Sequence, residues 1–219
     1  MQYLLNSANW DLTDPLSIPN LLGDHLQITL ISVLIGLAIA FPISLLLVRY
    51  TQFYPTAITV ASIIYTLPSL AFMAFLIPFT QLHEATVIIP LVLYTQVVLI
   101  RNIVAAIRSV DPTLVDVGSA MGMNATQLQL RVVLPLAAPI IIAGLRVTTV
   151  TTIGIASIGP LFGVENLGYL ITDGLALSYS DQILAGAIMI TIVAVGADLL
   201  LLGVQSLINR GRTPVIAAS

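Results

Sequence analysis

Residues 109–131, SVDPTLVDVGSAMGMNATQLQLR, form a polar loop between two long apolar runs. Within this loop Asp111 is a good N-cap, and Pro112 is favoured in the first turn of a helix. Gly122 suits the left-handed residue that commonly ends a helix. The pattern therefore predicts a helix of about two turns over residues 113–121.

The side chains of this loop allow two interpretations. Ala120, Met121 and Met123 would give the predicted helix a small apolar face, and methionine adapts to a contact that must repack. Asn124 or Thr126 can cap a second short helix that leads into the next apolar run. Spacing alone leaves open whether this is a docking surface for a soluble partner or a loop packed on its own bundle.

The composition of the whole chain places it in a membrane. Of its 219 residues 58% are hydrophobic and only 8% are charged, whereas soluble domains carry roughly 25% charged residues. The absence of cysteine excludes disulfides, thiolate metal sites and thiol nucleophiles. The absence of lysine excludes a phosphate-binding loop of the usual kind. Because the N-terminus has neither a basic start nor an early apolar stretch, we expect the first span to be retained.

Five segments are apolar over about 20 residues, the length that crosses the hydrocarbon of a bilayer. They cover about residues 26–48, 57–80, 86–107, 132–158 and 183–207. We expect an extracytoplasmic segment over residues 1–25, a transmembrane domain over 26–210 with its cytoplasmic loop at 109–131, and a cytoplasmic tail over 211–219. Residues 10–24 fit a short interfacial helix and a tethered tail equally well.

The arginines predict the orientation of these spans. With five spans and the N-terminus outside, all the arginines in loops fall on the cytoplasmic side, namely Arg49, Arg108, Arg131, Arg210 and Arg212. The opposite side then holds only acids and one histidine: Asp11, Asp14, His83, Glu84, Glu165, Asp173 and Asp181. We therefore predict an all-α, polytopic membrane protein with five transmembrane helices, the N-terminus out and the C-terminus in.

Three charged residues lie inside the predicted spans, and two of them, Arg146 and Asp198, lie deep in the membrane. Arg146 lies about 16 Å beyond Pro135 along the fourth span, and Asp198 about 15 Å before Ile208 in the fifth, at 1.5 Å per residue. Because intramembrane charges are expensive and usually paired, we expect an Arg146–Asp198 ion pair. Arg101 is a competing partner, and snorkelling into an aqueous cavity or direct contact with a substrate are alternatives.

Other polar residues of the spans are candidates for a transport pathway. Thr148, Thr149, Thr151 and Thr152 form a cluster in the fourth span that fits a pathway lining or helix packing. In the second span Thr66 and Ser69 flank Leu67-Pro68, where we expect an ordinary proline kink rather than a helix break.

Two outer features complete the candidates. Residues 159–168, beginning Gly-Pro, cannot continue a straight span and predict a turn, a plain loop or a re-entrant element. His25 and His83 are expected to be solvated and have no metal-ligand spacing around them.

The loop also carries a family resemblance. It reads Asp116-Val117-Gly118, three residues, Gly122, nine residues, then Val132-x-Leu134-Pro135. This pattern resembles the EAA signature of permease subunits in binding-protein-dependent ABC importers, which reads Glu-Ala-Ala, three residues, Gly, nine residues, Ile-x-Leu-Pro. The spacing matches throughout, whereas Asp116, Val117, Gly118 and Val132 depart from the signature residues.

Longer stretches resemble the osmoprotectant branch of that family, which carries glycine betaine, carnitine, choline or proline betaine. They are Ile100-Arg101-Asn102, Ile107 to Pro112, Ala120 to Met123, Ile158-Gly159 through Leu167-Gly168, and Gly174-Leu175. The resemblance covers roughly residues 25–210. A permease of a methionine-type or other amino-acid importer has a similar five-span layout and is the nearest alternative.

The resemblance implies a type I importer permease fold and a multi-subunit assembly in a bacterial or archaeal cell membrane. Two permease subunits, as a homodimer or a heterodimer, would form the pathway above two cytoplasmic ATPase subunits that bind ATP and magnesium. An extracytoplasmic binding protein would deliver the substrate, and no nucleic acid is involved. The ATPase-coupling residues would be Asp116, Val117, Gly118, Ala120, Met121, Gly122 and Met123, and the outer gate would include Gly163, with Glu165 and Asn166 at its exposed tip.

Two other classes of function are less consistent with the residues. An intramembrane enzyme would need a motif such as His-Glu-x-x-His or Gly-x-Ser-x-Gly, and the chain has neither. A stand-alone secondary transporter would be expected to show an inverted repeat, and none is visible. A quaternary ammonium substrate favours an aromatic cage, but Tyr65, Phe72, Tyr94 and Phe162 are scattered in sequence. The sequence therefore predicts that a separate binding protein sets specificity.

Overall fold

The computed structural model describes residues 2–210, and all the regular secondary structure of this part of the chain is helical. Short turns of 3-10 or π helix lie at Ser7–Trp10, Thr51–Phe53, Gln129–Val133 and Gly159–Phe162. The α-helices are α1 (Gln2–Leu5), α2 (Ile18–Arg49), α3 (Tyr54–Tyr65), α4 (Ser69–Thr80), α5 (Glu84–Arg108), α6 (Pro112–Ala120), α7 (Ala125–Leu128), α8 (Leu134–Ala156), α9 (Gly168–Ala176) and α10 (Ser180–Arg210). The predicted tail over 211–219, with Arg212, lies outside the described residues.

Four stretches of the described chain are long and apolar enough to cross a membrane: Ile18–Arg49, Glu84–Arg108, Ala125–Ala156 and Ser180–Asn209. A fifth crossing requires α3 and α4 together, which pass the same test only as a pair. The structure therefore gives four spans, or five when this pair is counted as one.

The pair α3 and α4 differs from the predicted single span over 57–80. The two helices meet at 88°, so the expected simple kink at Pro68 is wrong. Proline has no N–H to donate, and it disfavours helical conformation in the residue before it. The hydroxyl of Tyr94 on α5 donates to the freed carbonyl of Leu67 at 2.9 Å. A neighbouring helix thus satisfies a backbone group that the break exposes.

The N-terminal region also differs from the expectation. Residues 18–24 are neither a tail nor a separate interfacial helix, because α2 begins at Ile18 with Pro19 in its first turn. Ile18 and Leu21 are fully buried and pack in one cluster with Leu167 and Leu170. Burial against α9 and the loop before it therefore extends the first long helix by two turns beyond its apolar window.

Helix α5 is the centre of the bundle and packs against α2, α3, α4 and α8. Its buried residues Leu99 and Ile103 meet Ala40 of α2 and Ala137 of α8 in the largest core cluster. Helix α10 packs on α8 and α9 at the side of this core. The faces of α8 and α10 that point away from the core expose large apolar residues, as expected for a surface covered by lipid or a second subunit.

Candidate functional site

The loop after α5 folds as two capped helices. The Oδ1 of Asp111 accepts the backbone N–H of Thr113 at 2.8 Å, which starts α6. The same hydrogen bond, together with one from the Thr113 hydroxyl, lowers the pKa of Asp111. Gly122 ends this turn with φ +83°, a conformation in which a side chain would be strained.

A capping box starts α7. The Oδ1 of Asn124 accepts the N–H of Gln127 at 2.9 Å, and the Gln127 side chain accepts the N–H of Asn124 at 3.0 Å. Gly118 is buried where α6 meets α7, and a Cβ there would lie 2.6 Å from a terminal carbon of Leu128. The two helices therefore form one packed corner.

The solvent-exposed face of this two-helix corner carries most of the predicted coupling residues. Met121 is 74% exposed and Val117 is 53% exposed. Asp116, Ala120 and Gly122 are exposed beside them. Gly118 and the half-buried Met123 face the inside of the corner instead. The structure thus places five of the seven predicted residues on one accessible surface, which we call the α6 surface (Asp116, Val117, Ala120, Met121 and Gly122).

The two charged residues deep in the spans, Arg146 and Asp198, are brought together. Arg146 donates from Nε and Nη2 to the two carboxylate oxygens of Asp198, at 2.9 and 2.8 Å. Its Nη1 donates to Gln205, whose amide in turn donates to the carbonyl of Pro139 at 2.9 Å. Arg101 instead donates to the hydroxyl of Ser62 at 3.0 Å. Gln205 was missed from the sequence, although its position seven residues after Asp198 puts both on one face of α10.

The threonines of α8 do not form a single cluster. Thr148, Thr151 and Thr152 line a small cavity of about 10 Å³, which Tyr65 and Tyr94 close from the other side. Thr149 faces a separate apolar groove between α2 and α10. Thr66 lies exposed at the break after α3 and donates to the carbonyl of Ile63, and Ser69 begins α4.

Three aromatic residues that appeared scattered in the sequence meet beside this cavity. The rings of Tyr65 and Tyr94 have centroids 5.8 Å apart, and those of Phe72 and Tyr94 are 5.9 Å apart. Phe162 is buried elsewhere, among Val87, Val164 and their neighbours. The interpretation that all four are scattered is therefore wrong for three of them, because the break between α3 and α4 turns Tyr65 and Phe72 toward α5.

The segment between α8 and α9, which the sequence predicts on the outer side and which we call the outer segment, is held by a buried side chain. Asn166, predicted at an exposed tip, is fully buried. Its Nδ2 donates to the carbonyls of Ala156 and Val164, and its Oδ1 accepts the N–H of Gly168 at 2.8 Å. The Asn166 side chain therefore satisfies backbone groups on both sides of the turn, and the expectation of an exposed Asn166 is wrong.

His25 is also buried, against the expectation that it is solvated. Its Nδ1 lies 3.3 Å from the Oδ1 of Asn166, and its Nε2 lies 3.1 Å from the carbonyl oxygen of Ile153. These contacts join α2, α8 and the outer segment. No local pattern in the sequence signals this contact, since His25 and Asn166 are 141 residues apart.

Glu165, predicted at an exposed tip, lies at the surface, and so does Gly163. Gly163 has φ +74°. Partial burial raises the pKa of Glu165, and the negative charges of Asp173 and Asp24 raise it further. An open recess of about 280 Å³ lies beside these residues and is lined also by His83 and Glu84.

Comparison with known proteins now identifies the family. Residues 32–214 match the family described as binding-protein-dependent transport system inner membrane component. The chain belongs to this family. It is a transport permease subunit of an ABC transporter, and it is not itself the enzyme, because a separate ATPase hydrolyses ATP.

Individual relatives agree with this assignment. The choline transport system permease protein OpuBB of Bacillus subtilis (strain 168) is 37% identical to the permease over 178 residues, 81% of this chain and 82% of that protein. The carnitine transport permease protein OpuCB of Listeria monocytogenes is 39% identical over 170 residues, 78% of each chain. The predicted resemblance to osmoprotectant permeases is thereby confirmed.

A solved structure shows the same fold. The permease superimposes on a chain of an inward-facing MetNI methionine ABC transporter with a TM-score of 0.75. That match covers 84% of the permease and 93% of the other chain at 20% identity. The all-helical architecture of an ABC importer permease is therefore confirmed, whereas identity at this level says nothing about the substrate.

Proposed function

We propose that the permease forms the translocation pathway of an ATP-driven importer for osmoprotectants of the glycine betaine, choline and carnitine type. The observation that carries this proposal is the 36–39% identity to permease proteins named for choline, carnitine or glycine betaine transport, over most of both chains. The α6 surface adds the element through which an external ATPase can act.

Coupling is proposed to run through the α6 surface. It is exposed, mostly uncharged and fixed by caps at both ends. It can therefore bind as a rigid projection in a groove of the ATPase. ATP-driven closure of two ATPase subunits would draw two such corners together and switch the spans from inward- to outward-facing. ATP and magnesium would bind to the ATPase.

The proposed assembly holds two permease subunits, two ATPases and an extracytoplasmic binding protein. Two different choline transport system permease proteins of Bacillus subtilis, OpuBB and OpuBD, are 37% and 36% identical to this chain. The existence of such paired relatives favours a heterodimer over a homodimer. The outer segment, in which Gly163 and Glu165 are exposed and Asn166 is buried, is proposed as the outer gate on which the binding protein docks.

The proposed topology counts α3 and α4 as one crossing, which gives five spans with the N-terminus outside and the C-terminus inside. This arrangement puts Arg49, Arg108 and Arg131 on the cytoplasmic side of a bacterial or archaeal cell membrane. The polar residues at the break and on α8, which are Thr66, Ser69, Thr148, Thr151 and Thr152, would face the pathway. Thr149 would not, because it faces the apolar groove beside α2.

The test is to purify the permease with its candidate ATPase in nanodiscs and to measure ATP hydrolysis with and without glycine betaine-loaded binding protein. Loaded binding protein should stimulate hydrolysis, and the double variant Val117→Asp/Met121→Asp should lose that stimulation. The matched control is Leu12→Asp, which alters a residue that is 72% exposed in the N-terminal segment. Stimulation that survives in the double variant would refute the role of the α6 surface.

The substrate is identified with the same assembly, by ATP hydrolysis in nanodiscs and by uptake into proteoliposomes. Stimulation and uptake with glycine betaine, choline or carnitine, but not with methionine, are expected. The reverse result would assign the permease to the methionine-type importers, which at present share only its fold.

A further inference from the structure

We propose that His25 and Asn166 together cap the C-terminal end of α8, and that proton uptake by His25 tightens this cap and thereby fixes the outer segment. His25 is in this sense a proton-sensitive positioning residue of the outer gate. The consequence for docking rests on the proposed function, in which the binding protein docks on the outer segment.

The end of α8 has backbone carbonyls that need partners from other elements. The helix ends at Ala156, and the last four carbonyl groups of a helix have no partner within it. The Nε2 of His25 lies 3.1 Å from the carbonyl oxygen of Ile153, and the Nδ2 of Asn166 donates to the carbonyl of Ala156 at 3.0 Å. Side chains from α2 and from the outer segment therefore meet at this helix end.

The backbone partners of Asn166 fix the orientation of its amide. A backbone N–H can only donate a hydrogen bond, and a carbonyl can only accept one. The N–H of Gly168 therefore identifies the atom 2.8 Å from it as the amide oxygen, and the carbonyls of Ala156 and Val164 identify the other atom as the nitrogen. The Asn166 atom that faces His25 is this oxygen, which is an acceptor.

Both ring nitrogens of His25 consequently face oxygen acceptors. Nε2 faces the carbonyl of Ile153, and Nδ1 lies 3.3 Å from the Oδ1 of Asn166. A neutral imidazole has one N–H and an imidazolium has two. The neutral ring can make only one of these hydrogen bonds, and the shorter distance assigns its proton to Nε2. Proton uptake at Nδ1 adds the second bond, which joins α2 to the outer segment.

The position of His25 supports a positive charge in spite of its burial. The ring is fully buried, so bulk water does not supply the missing partner for Nδ1. Burial makes a charge costly, but two acceptor oxygens stabilise the imidazolium and not the neutral ring. The C-terminal end of a helix also carries partial negative charge, which favours a cation beside it.

The charged groups around the cap do not oppose a positive ring. On the described elements they are Asp24 of α2, His83 and Glu84 at the start of α5, Glu165 of the outer segment, Tyr169 and Asp173 of α9, and the paired Arg146 and Asp198 of α8 and α10. Asp24 and Asp173 both raise the pKa of Glu165. Acidification therefore also neutralises Glu165, which leaves the two acceptors and the end of α8 as the main support for the imidazolium.

The outer segment is packed closely enough for this cap to position it. A Cβ on Gly159 would lie 2.6 Å from the Nδ2 of Asn166, and one on Gly168 would overlap the carbonyl of Ser157. Gly163 and Glu165 are exposed on the same segment. A bond that fixes Asn166 therefore also fixes the surface that its neighbours present to a docking partner.

Nuclear magnetic resonance of the full-length permease tests the protonation directly. The chain has two histidines, so ¹⁵N-histidine in the His83→Gln variant reports on His25 alone. At about pH 8 only Nε2 should carry a proton, and at about pH 5.5, below the ordinary range of histidine, both nitrogens should carry one. A proton on Nδ1 alone at the higher pH, or a ring that stays neutral at the lower pH, would overturn the proposal.

Hydrogen–deuterium exchange measures the tightening itself. After correction for the intrinsic pH dependence of exchange, the amides of residues 164–168 should exchange about threefold to tenfold more slowly at the lower pH, as one added hydrogen bond predicts. His25→Gln should remove this difference, because glutamine stays uncharged at both pH values. Equal pH dependence in the wild type and in His25→Gln would show that another group controls the segment.

Docking is measured with the complete assembly in nanodiscs, as the concentration of loaded binding protein that gives half-maximal ATP hydrolysis. This concentration should be about threefold to tenfold lower at the lower pH, because the docking surface is already fixed. His25→Gln should lose the difference, and His83→Gln, the matched control at an exposed histidine, should keep it.

The three measurements separate this inference from the proposed function. If loaded binding protein does not stimulate the wild-type assembly at either pH, the proposed function fails, and resonance and exchange still decide whether the cap exists. If His25 takes up its proton and the segment tightens while the half-maximal concentration stays constant, the link between the cap and docking is refuted.

Discussion

At the scale of single residues, the Arg146–Asp198 pair shows how a charge is kept within the apolar helices. The guanidinium contacts both carboxylate oxygens and Gln205, and the side chains of Arg146 and Asp198 are 22% and 35% exposed. Bidentate geometry and a satisfied third donor offset the cost of desolvating the two charges. The pair therefore holds α8 against α10, and neither Arg146 nor Asp198 is left as an unpaired charge.

We predict that breaking this pair harms the protein more than removing it. Arg146→Met leaves the Asp198 carboxylate without its partner, so the yield and the temperature of thermal inactivation in detergent should fall clearly. Arg146→Met/Asp198→Leu should recover about half of that loss or more, because no unpaired charge remains. Size-exclusion chromatography after a heating series measures both effects.

Arg101→Met serves as the control for this series, since Arg101 is exposed and bonds only to Ser62 among the described contacts. It should have a smaller effect than Arg146→Met. A double variant that is as unstable as the single one would show that the pair itself, rather than the avoidance of a lone charge, stabilises the bundle.

Residue-scale features differ in how far the sequence could predict them. The caps at Asp111, Gly122 and Asn124 follow from contacts within four residues, and the sequence alone indicated them. The approach of Arg146 to Asp198 followed from equal depth in two helices. The burial of His25 against Asn166 could not be predicted, because nothing local indicates which helices meet at the outer segment.

At the scale of elements, the break between α3 and α4 is the feature that the sequence indicated least well. A proline in an apolar run is compatible with a gentle kink or a full break, and the outcome depends on whether another helix satisfies the freed carbonyl. Here Tyr94 does so from α5. The same break places Tyr65 and Phe72 against Tyr94, so the sequence did not reveal the aromatic cluster for the same physical reason.

The contact between α5 and α8 gives an element-scale prediction. A Cβ on Gly144 would lie 2.4 Å from the Cβ of Asn102, an atom that cannot move without its backbone. Gly144→Ala should therefore push the two helices apart and destabilise the permease by about 1–3 kcal/mol. Gly154→Ala is the matched control in the same helix, because a Cβ there meets nothing within 4 Å.

The two alanine variants are to be compared by unfolding of the purified permease in mixed micelles. Gly154→Ala should stay within about 0.5 kcal/mol of the wild type. If Gly144→Ala is equally stable, α5 and α8 do not approach each other as closely as described, and the core cluster around Leu99 and Ala137 would need a different packing.

At the scale of the whole molecule, the number of crossings depends on the bent pair. If α3 and α4 form one crossing, Thr51 and Leu82 lie on opposite sides of the membrane, and Arg49, Arg108 and Arg131 share one side. If the pair is re-entrant, Thr51 and Leu82 lie on the same side, and Arg49 is separated from the other two. The arginine distribution therefore favours a crossing.

The chain has no cysteine, so single cysteines can report this topology without background. With a membrane-impermeant maleimide, Ser7→Cys, Leu82→Cys and Leu177→Cys should react from outside intact cells. Thr51→Cys and Met121→Cys should react only after permeabilisation, because both would lie on the cytoplasmic side with the α6 surface. Reaction of Met121→Cys from outside, together with protection of Leu82→Cys, would show that α3 and α4 turn back within the membrane. The α6 surface would then lie on the side away from any cytoplasmic ATPase, and the proposed coupling would fail with the topology.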